Sequence, residues 1–151
     1  MKLKSIFYMM LMGVVLAFTA CDDDDEVRTR TDVRNDVVGL TFSGAMVNAA
    51  NEAAFCDDAV ISFAEYTANK DTWAVTFQFS SASKGLNLTG VVNPAKANED
   101  ITFSCGSQYP KLSGRLSGND LIFYVPLNKS ATSLSNAATA VTYRFNGTKK
   151  Q

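Results

Sequence analysis

Thr72-Trp73-Ala74-Val75-Thr76-Phe77-Gln78-Phe79 is the stretch that decides the fold. Large apolar residues at 73, 75, 77 and 79 alternate with small or polar ones at 72, 74, 76 and 78. A period of two puts successive side chains on opposite faces of a strand, so this run reads as a half-buried β-strand. The rhythm recurs on both sides of it. Val38, Leu40 and Phe42 come first, then Ala59, Ile61 and Phe63. After it come Leu86, Leu88 and Val92; Ile101, Phe103 and Cys105; Leu112 and Leu116; Leu121, Phe123, Val125 and Leu127; and Val141, Tyr143 and Phe145. The total is eight strands, separated by turn-forming segments such as Ser81 to Gly85 and Ser117-Gly118-Asn119-Asp120.

Many short strands at near-regular spacing predict an all-β sandwich or barrel. In a simple meander an even number of strands leaves the first and last antiparallel. They can then pair and remove the exposed edges, which favours an eight-stranded antiparallel up-and-down barrel. Gly44, Gly90 and Gly114 interrupt the inward phase, where bends that help a barrel curve are expected. Two stretches lack the rhythm. Asn48 to Phe55 is alanine-rich and reads as a short helix or an irregular loop, able to fold over an end of the barrel. Asn128 to Ala138, rich in Ser, Asn and Ala, reads as a long loop.

The amino terminus has a different character. Lys2 and Lys4 precede an uncharged apolar run from Ile6 to Phe18, then small Thr19 and Ala20, then Cys21. This is the pattern of a secretory signal peptide over residues 1–20, and the run is shorter than the ~20 residues a membrane-spanning helix needs. Phe18-Thr19-Ala20-Cys21 resembles the bacterial lipobox, with Phe18 where leucine is usual. The resemblance implies that Cys21 carries the lipid and that the membrane is a partner through this anchor. Asp22, Asp23, Asp24, Asp25 and Glu26 follow, and five adjacent acids stay solvated. They resemble the acidic export signal of Bacteroidetes surface lipoproteins, which implies display on the outer face of the outer membrane. A calcium loop would need spaced carboxylates and a glycine, so no metal site is expected there. Residues 21–36 read as lipidated cysteine plus acidic and polar tether, and residues 37–151 as the barrel domain.

Composition narrows the function. Removing Lys2 and Lys4 from the 14 basic residues leaves 12 against 15 acidic ones. With no basic patch to follow a phosphate backbone, nucleic acid is not an expected partner. The chain has no histidine, so the commonest general base and transition-metal ligand is missing. Asp57, Asp58 and Glu65 are the carboxylates available for acid–base work. Adjacent strand residues point to opposite faces, and no nucleophile-and-base arrangement is visible. Neither a catalytic residue nor a cofactor is assigned. Cys56 and Cys105 either form one disulfide in an oxidising compartment or remain buried thiols.

Thr41-Phe42-Ser43-Gly44, Ser113 to Leu121 and Thr142 to Lys150 together resemble the lipocalin-like (calycin-like) barrel lipoproteins of Bacteroidetes. The resemblance covers roughly residues 37–150, rests on order and spacing, and implies an up-and-down barrel without a defined catalytic motif. Trp73, Phe77, Phe79, Phe103, Phe123 and Phe145 then point inward. They either line a pocket for a small hydrophobic molecule or lipid, or form a solid core. Ile122 and Tyr124 make one strand apolar on both faces, which points to a covering loop or to an envelope-protein partner. Three roles follow: a hydrophobic-ligand binder, a protein-interaction or inhibitor module using the outer face or loops, and a purely structural envelope lipoprotein. The anchor reading predicts that Cys21→Ser abolishes incorporation of a labelled fatty acid and leaves the unprocessed precursor, as followed by labelling and gel mobility in cells.

Overall fold

The computed structural model describes residues 32–67, 73–106 and 108–151, so Cys21 and the acidic run Asp22 to Glu26 lie outside the described residues. The alternating stretches form β1 (Thr41–Asn48), β2 (Ala54–Glu65), β3 (Val75–Ser81), β4 (Leu86–Ala97), β5 (Asp100–Ser104), β6 (Ser113–Ser117), β7 (Asp120–Leu127) and β8 (Val141–Lys149). Each pairs antiparallel with the next. β1 also pairs with β8, from Phe42 opposite Lys149 to Asn48 opposite Tyr143. The sheet is therefore a closed eight-stranded up-and-down barrel.

The inward phase is aromatic. Phe63 on β2 stacks on Phe103 of β5, three strands round the wall, with ring centroids 4.8 Å apart and planes 8° from parallel. Phe123 of β7 meets Phe63 at 6.1 Å, Phe77 at 5.4 Å and Phe103 at 5.8 Å. Rings from separate walls thus touch across the axis and fill the lumen at this level. Truncating any one of them to alanine would cost about 3–5 kcal/mol, the usual range for a buried phenylalanine.

Two strand glycines make room for these rings. Gly90 pairs with Phe77 and Gly114 with Phe123, both in unbroken register. A Cβ on Gly90 would lie 2.5 Å from the Phe77 ring, and one on Gly114 would be closer still to the Phe123 ring. The aromatic side chains lie across bare backbone on the neighbouring strand. The bend expected from sequence is found only beside Gly44, where the β1–β2 register shifts before Met46.

The ends of the barrel close differently. At the end where β1 begins, residues 32–37 form a short helix that buries Val33 and Val37 in the core. Arg34 pairs with Glu65 of β2, and the Gly39 amide donates to the Phe63 carbonyl at 2.8 Å. This corrects the assignment of residues up to 36 to a tether. Two apolar side chains one helical turn apart, Val33 and Val37, close the barrel floor. At the opposite end, 49–53 is a turn and not a helix, despite its alanines. Asn48 Oδ1 accepts from the Ala50 amide at 2.9 Å and Asn51 Oδ1 from the Ala53 amide at 3.0 Å. Glu52 has φ of 59°. Local asparagine side-chain bonds outcompete helix propensity here.

Gly114→Ala places a methyl group against a ring that is itself fully buried and has nowhere to retreat. It is expected to destabilise the barrel by about 1–3 kcal/mol, read as a lower urea midpoint at unchanged slope. An unchanged midpoint would show that the Phe123 ring does not depend on Gly114.

Candidate functional site: the loop-bearing mouth of the barrel

The turns after β1, β3, β5 and β7 gather at the end of the barrel opposite the short helix. The longest of them, 128–140, turns back over the mouth. β6 starts at Ser113, opposite Tyr124, so the last residues of β7 have no partner on that side. The returning loop takes the vacant edge: Leu134 bridges Leu127, and the Ser135 amide donates to the Pro126 carbonyl at 3.0 Å. The Leu134 side chain reaches across to β4, its Cδ1 lying 3.4 Å from where a Gly90 Cβ would stand, beside the Phe77 ring. Leu134 and Ala131 are half-buried against the core.

Below this roof lie Phe77, Phe79, Phe103, Phe123 and Phe145, all buried, as the alternation requires. Trp73, expected with them, is not inside. β3 begins only at Val75, and Trp73 precedes it with 38 % of its surface exposed. The alternation runs on past the start of β3, so phase alone overextends the strand. On the outer face Ile122 is 42 % exposed. It sits between Arg115, which pairs with Asp100 at 2.7 Å, and Asn146. Tyr124 is half-buried opposite Arg144 on β8, whose guanidinium grips Glu52 bidentately. The long loop covers the mouth and does not cover this face along its length; of the outward residues only Pro126 is buried.

Beside the mouth, between the β1–β2 hairpin and the β3–β4 turn, is an open cleft of about 410 Å³ lined by Met46, Phe55, Cys56, Asp57, Ser83 and Lys84 among others. The Lys84 ammonium sits 4.8 Å from the centroid of the Phe55 ring, and Phe55 packs on Tyr143 at 4.4 Å. Cys56 and Cys105 stand apart as free thiols, so the disulfide expected as one alternative is not formed. Cys56 lies on β2 at this cleft, and Cys105 follows β5, where its Sγ donates to the Val91 carbonyl at 3.2 Å. Burial pushes both thiols above the ordinary range. The thiolate is the nucleophile, so neither is activated.

A polar cluster around Asp58, one of the carboxylates considered for acid–base work, supports the cleft. Asp58 accepts from Ser81 Oγ at 2.6 Å, the Ser83 amide at 2.7 Å and Ser83 Oγ at 2.8 Å. It thereby ties β2 to the β3–β4 turn and gives the buried Ser81 hydroxyl its partner. These bonds, the Ser81 one foremost, hold the carboxyl down at about 2. The available signal was Asp58 preceding an inward strand residue and a serine-rich turn one hairpin later. Leu134 also left a signal, being the only large apolar residue in a polar loop.

Comparison of the chain with protein-family models, with curated proteins and with solved structures found no match. The closed antiparallel barrel of eight strands is compatible with a lipocalin-like fold.

Asp58 yields a pH prediction. Its folded-state value lies below the ordinary ~3.9, so its contribution is complete above that value and is lost as pH falls towards about 2. Asp58→Ala should lower Tm at neutral pH, and the gap to wild type should close as the pH is lowered to ~2. A gap of constant size across thermal melts in that range would contradict the hydrogen-bonded carboxylate.

Proposed function

We propose that this chain is a lipid-anchored, non-catalytic protein of the cell envelope, akin to the lipocalin-like Bacteroidetes lipoproteins, whose barrel binds a small hydrophobic molecule or lipid. The observation that carries the reading is the aromatic interior beneath a mouth roofed by a loop, with an open, largely apolar cleft beside it. Apolar, partly preformed concavities with a few polar groups at the rim are what small hydrophobic ligands occupy. Lys84, Ser83 and Asp57 supply that rim.

The anchor fits the same arrangement. With Cys21 lipidated, the ten residues Asp22 to Thr31 reach at most roughly 35 Å. They join the fold at the short helix, at the end opposite the mouth. The mouth then faces away from the membrane that holds the protein, where it can exchange a ligand with the surroundings. A protein-interaction or inhibitor role through the outer face has less to draw on, since Ile122 is flanked by polar and charged neighbours and lone exposed apolar residues are ordinary.

Native mass spectrometry of residues 27–151, purified gently from the host envelope, tests the proposal. The expected result is extra mass that is lost on denaturation and identifies as a hydrophobic small molecule or lipid. A bare apo mass after purification without detergent would oppose it and direct attention to envelope-protein partners of the outer face and loops.

A further inference from the structure

We infer that the rim of the barrel carrying Trp73 is a lipid-contact surface, whose indole lies in the headgroup zone of the same bilayer that holds the lipidated Cys21; this rests on the anchor reading above. The placement follows from the tether inward. Asp32 opens the short helix, and Arg34, two residues on, pairs with Glu65 at the end of β2. Glu65 lies opposite Val75, the first residue of β3, and Trp73 precedes Val75 by two residues. The segment Asp22 to Thr31 therefore enters the fold beside Trp73. Val33 and Val37 close the floor itself, and the indole stands on its rim, 38 % exposed. Tyr66, next to Glu65, is half-buried on the same rim.

Exposed apolar surface is distributed one-sidedly. Among the described residues the large apolar side chains that stand exposed are Trp73 and Ile122. Trp73 is at the tether end, and Ile122 is two residues from the start of β7 at that same end. A single exposed apolar side chain is ordinary. One beside the entry of a lipid anchor has a partner within reach, because ten tether residues span at most roughly 35 Å. Tryptophan and tyrosine combine an apolar ring with a polar N–H or O–H, and such side chains collect where hydrocarbon meets water. Charge does not supply the attraction. Exposed Asp32, Asp36 and Asp120 share this end with Lys96, Lys149 and Lys150, and the acidic run Asp22 to Glu26 precedes the helix. Mixed charges behind an acidic tether have no net pull towards an anionic surface, so the ring is the recognising element and a zwitterionic phospholipid is enough.

Trp73 is the sole tryptophan, so the protein's own indole emission reports on this one position. The experiment takes the full processed chain, purified from its host envelope, into phosphatidylcholine vesicles with or without bromine near the carbonyl end of the acyl chains. The expected result is emission shifted to the blue of that from the soluble chain of residues 27–151, quenched by the brominated lipid and unchanged by high salt. A second reporter, Lys129→Trp in a Trp73→Phe background, puts the only indole on the exposed part of the loop at the mouth. It is expected to keep water-exposed emission without quenching, with circular dichroism confirming that the variant is folded. If mass spectrometry shows acylated Cys21 and the protein floats with the vesicles, yet Trp73 escapes quenching, the inference is overturned and the anchor reading stands. Quenching that high salt abolishes, or equal quenching of both reporters, overturns it as well. A Cys21 without acyl chains overturns the anchor reading and the inference with it.

Discussion

Phe63 meets Phe103 face to face across the barrel axis, and Phe123 packs against both. Most of the remaining architecture answers to this contact. Rings from β2, β5 and β7 can reach one another only if the wall is continuous, which requires β1 to pair with β8. They fit only if the wall is thin where the rings lie against it, which is why Gly90 and Gly114 stand opposite Phe77 and Phe123. The interior is dry only if both ends are shut. Val33 and Val37 shut one end with a helical turn, and Leu134 shuts the other with a loop.

That difference between the ends gives the molecule its direction. The helical end is fastened by backbone hydrogen bonds between Gly39, Leu40 and Phe63 and by the Arg34–Glu65 pair. The loop at the other end is fastened by the Ser135–Pro126 and Asn128–Ser133 backbone bonds, and its remaining polar groups are satisfied largely within the loop. Regions with few ties to the core open at lower cost than regions with many. The end proposed to face the membrane is closed by a helical turn, and the end proposed to exchange ligand by a returning loop that packs Ala131 and Leu134 on the core. Next to it, the Asp58–Ser81–Ser83 cluster keeps the β3–β4 turn and β2 in register, so the cleft lined by Phe55, Cys56 and Lys84 has a fixed wall.

The fold was largely legible in the sequence, because period-two alternation reports burial directly and an even strand count favours closure. Phe77, Phe79, Phe103, Phe123 and Phe145 fell inside for that reason. Trp73 was misplaced because alternation continues beyond the start of β3 at Val75. Of the two readings of Asn48 to Phe55, short helix or irregular loop, the irregular one holds at 49–53, where asparagine side-chain bonds prevail over the alanines. The short helix at 32–37 was missed because its apolar content is only two valines in a polar run. The glycines were noticed, but Gly90 and Gly114 accommodate rings on a neighbouring strand, a pairing that depends on register. The site was less legible than the fold. Asp58 and its serines are joined through strand pairing, and the reach of Leu134 to Gly90 spans the whole mouth.

The central claim, that the barrel binds a small hydrophobic molecule beneath its loop-covered mouth, is tested most directly by intermolecular nuclear Overhauser effects between a bound fatty acid and the soluble domain. The account predicts contacts from the alkyl chain to inward-facing rings beneath the mouth, Phe77 among them, and to Leu134 of the covering loop. Contacts confined to Ile122 and its neighbours on the outer face, or no contacts at all, would contradict it.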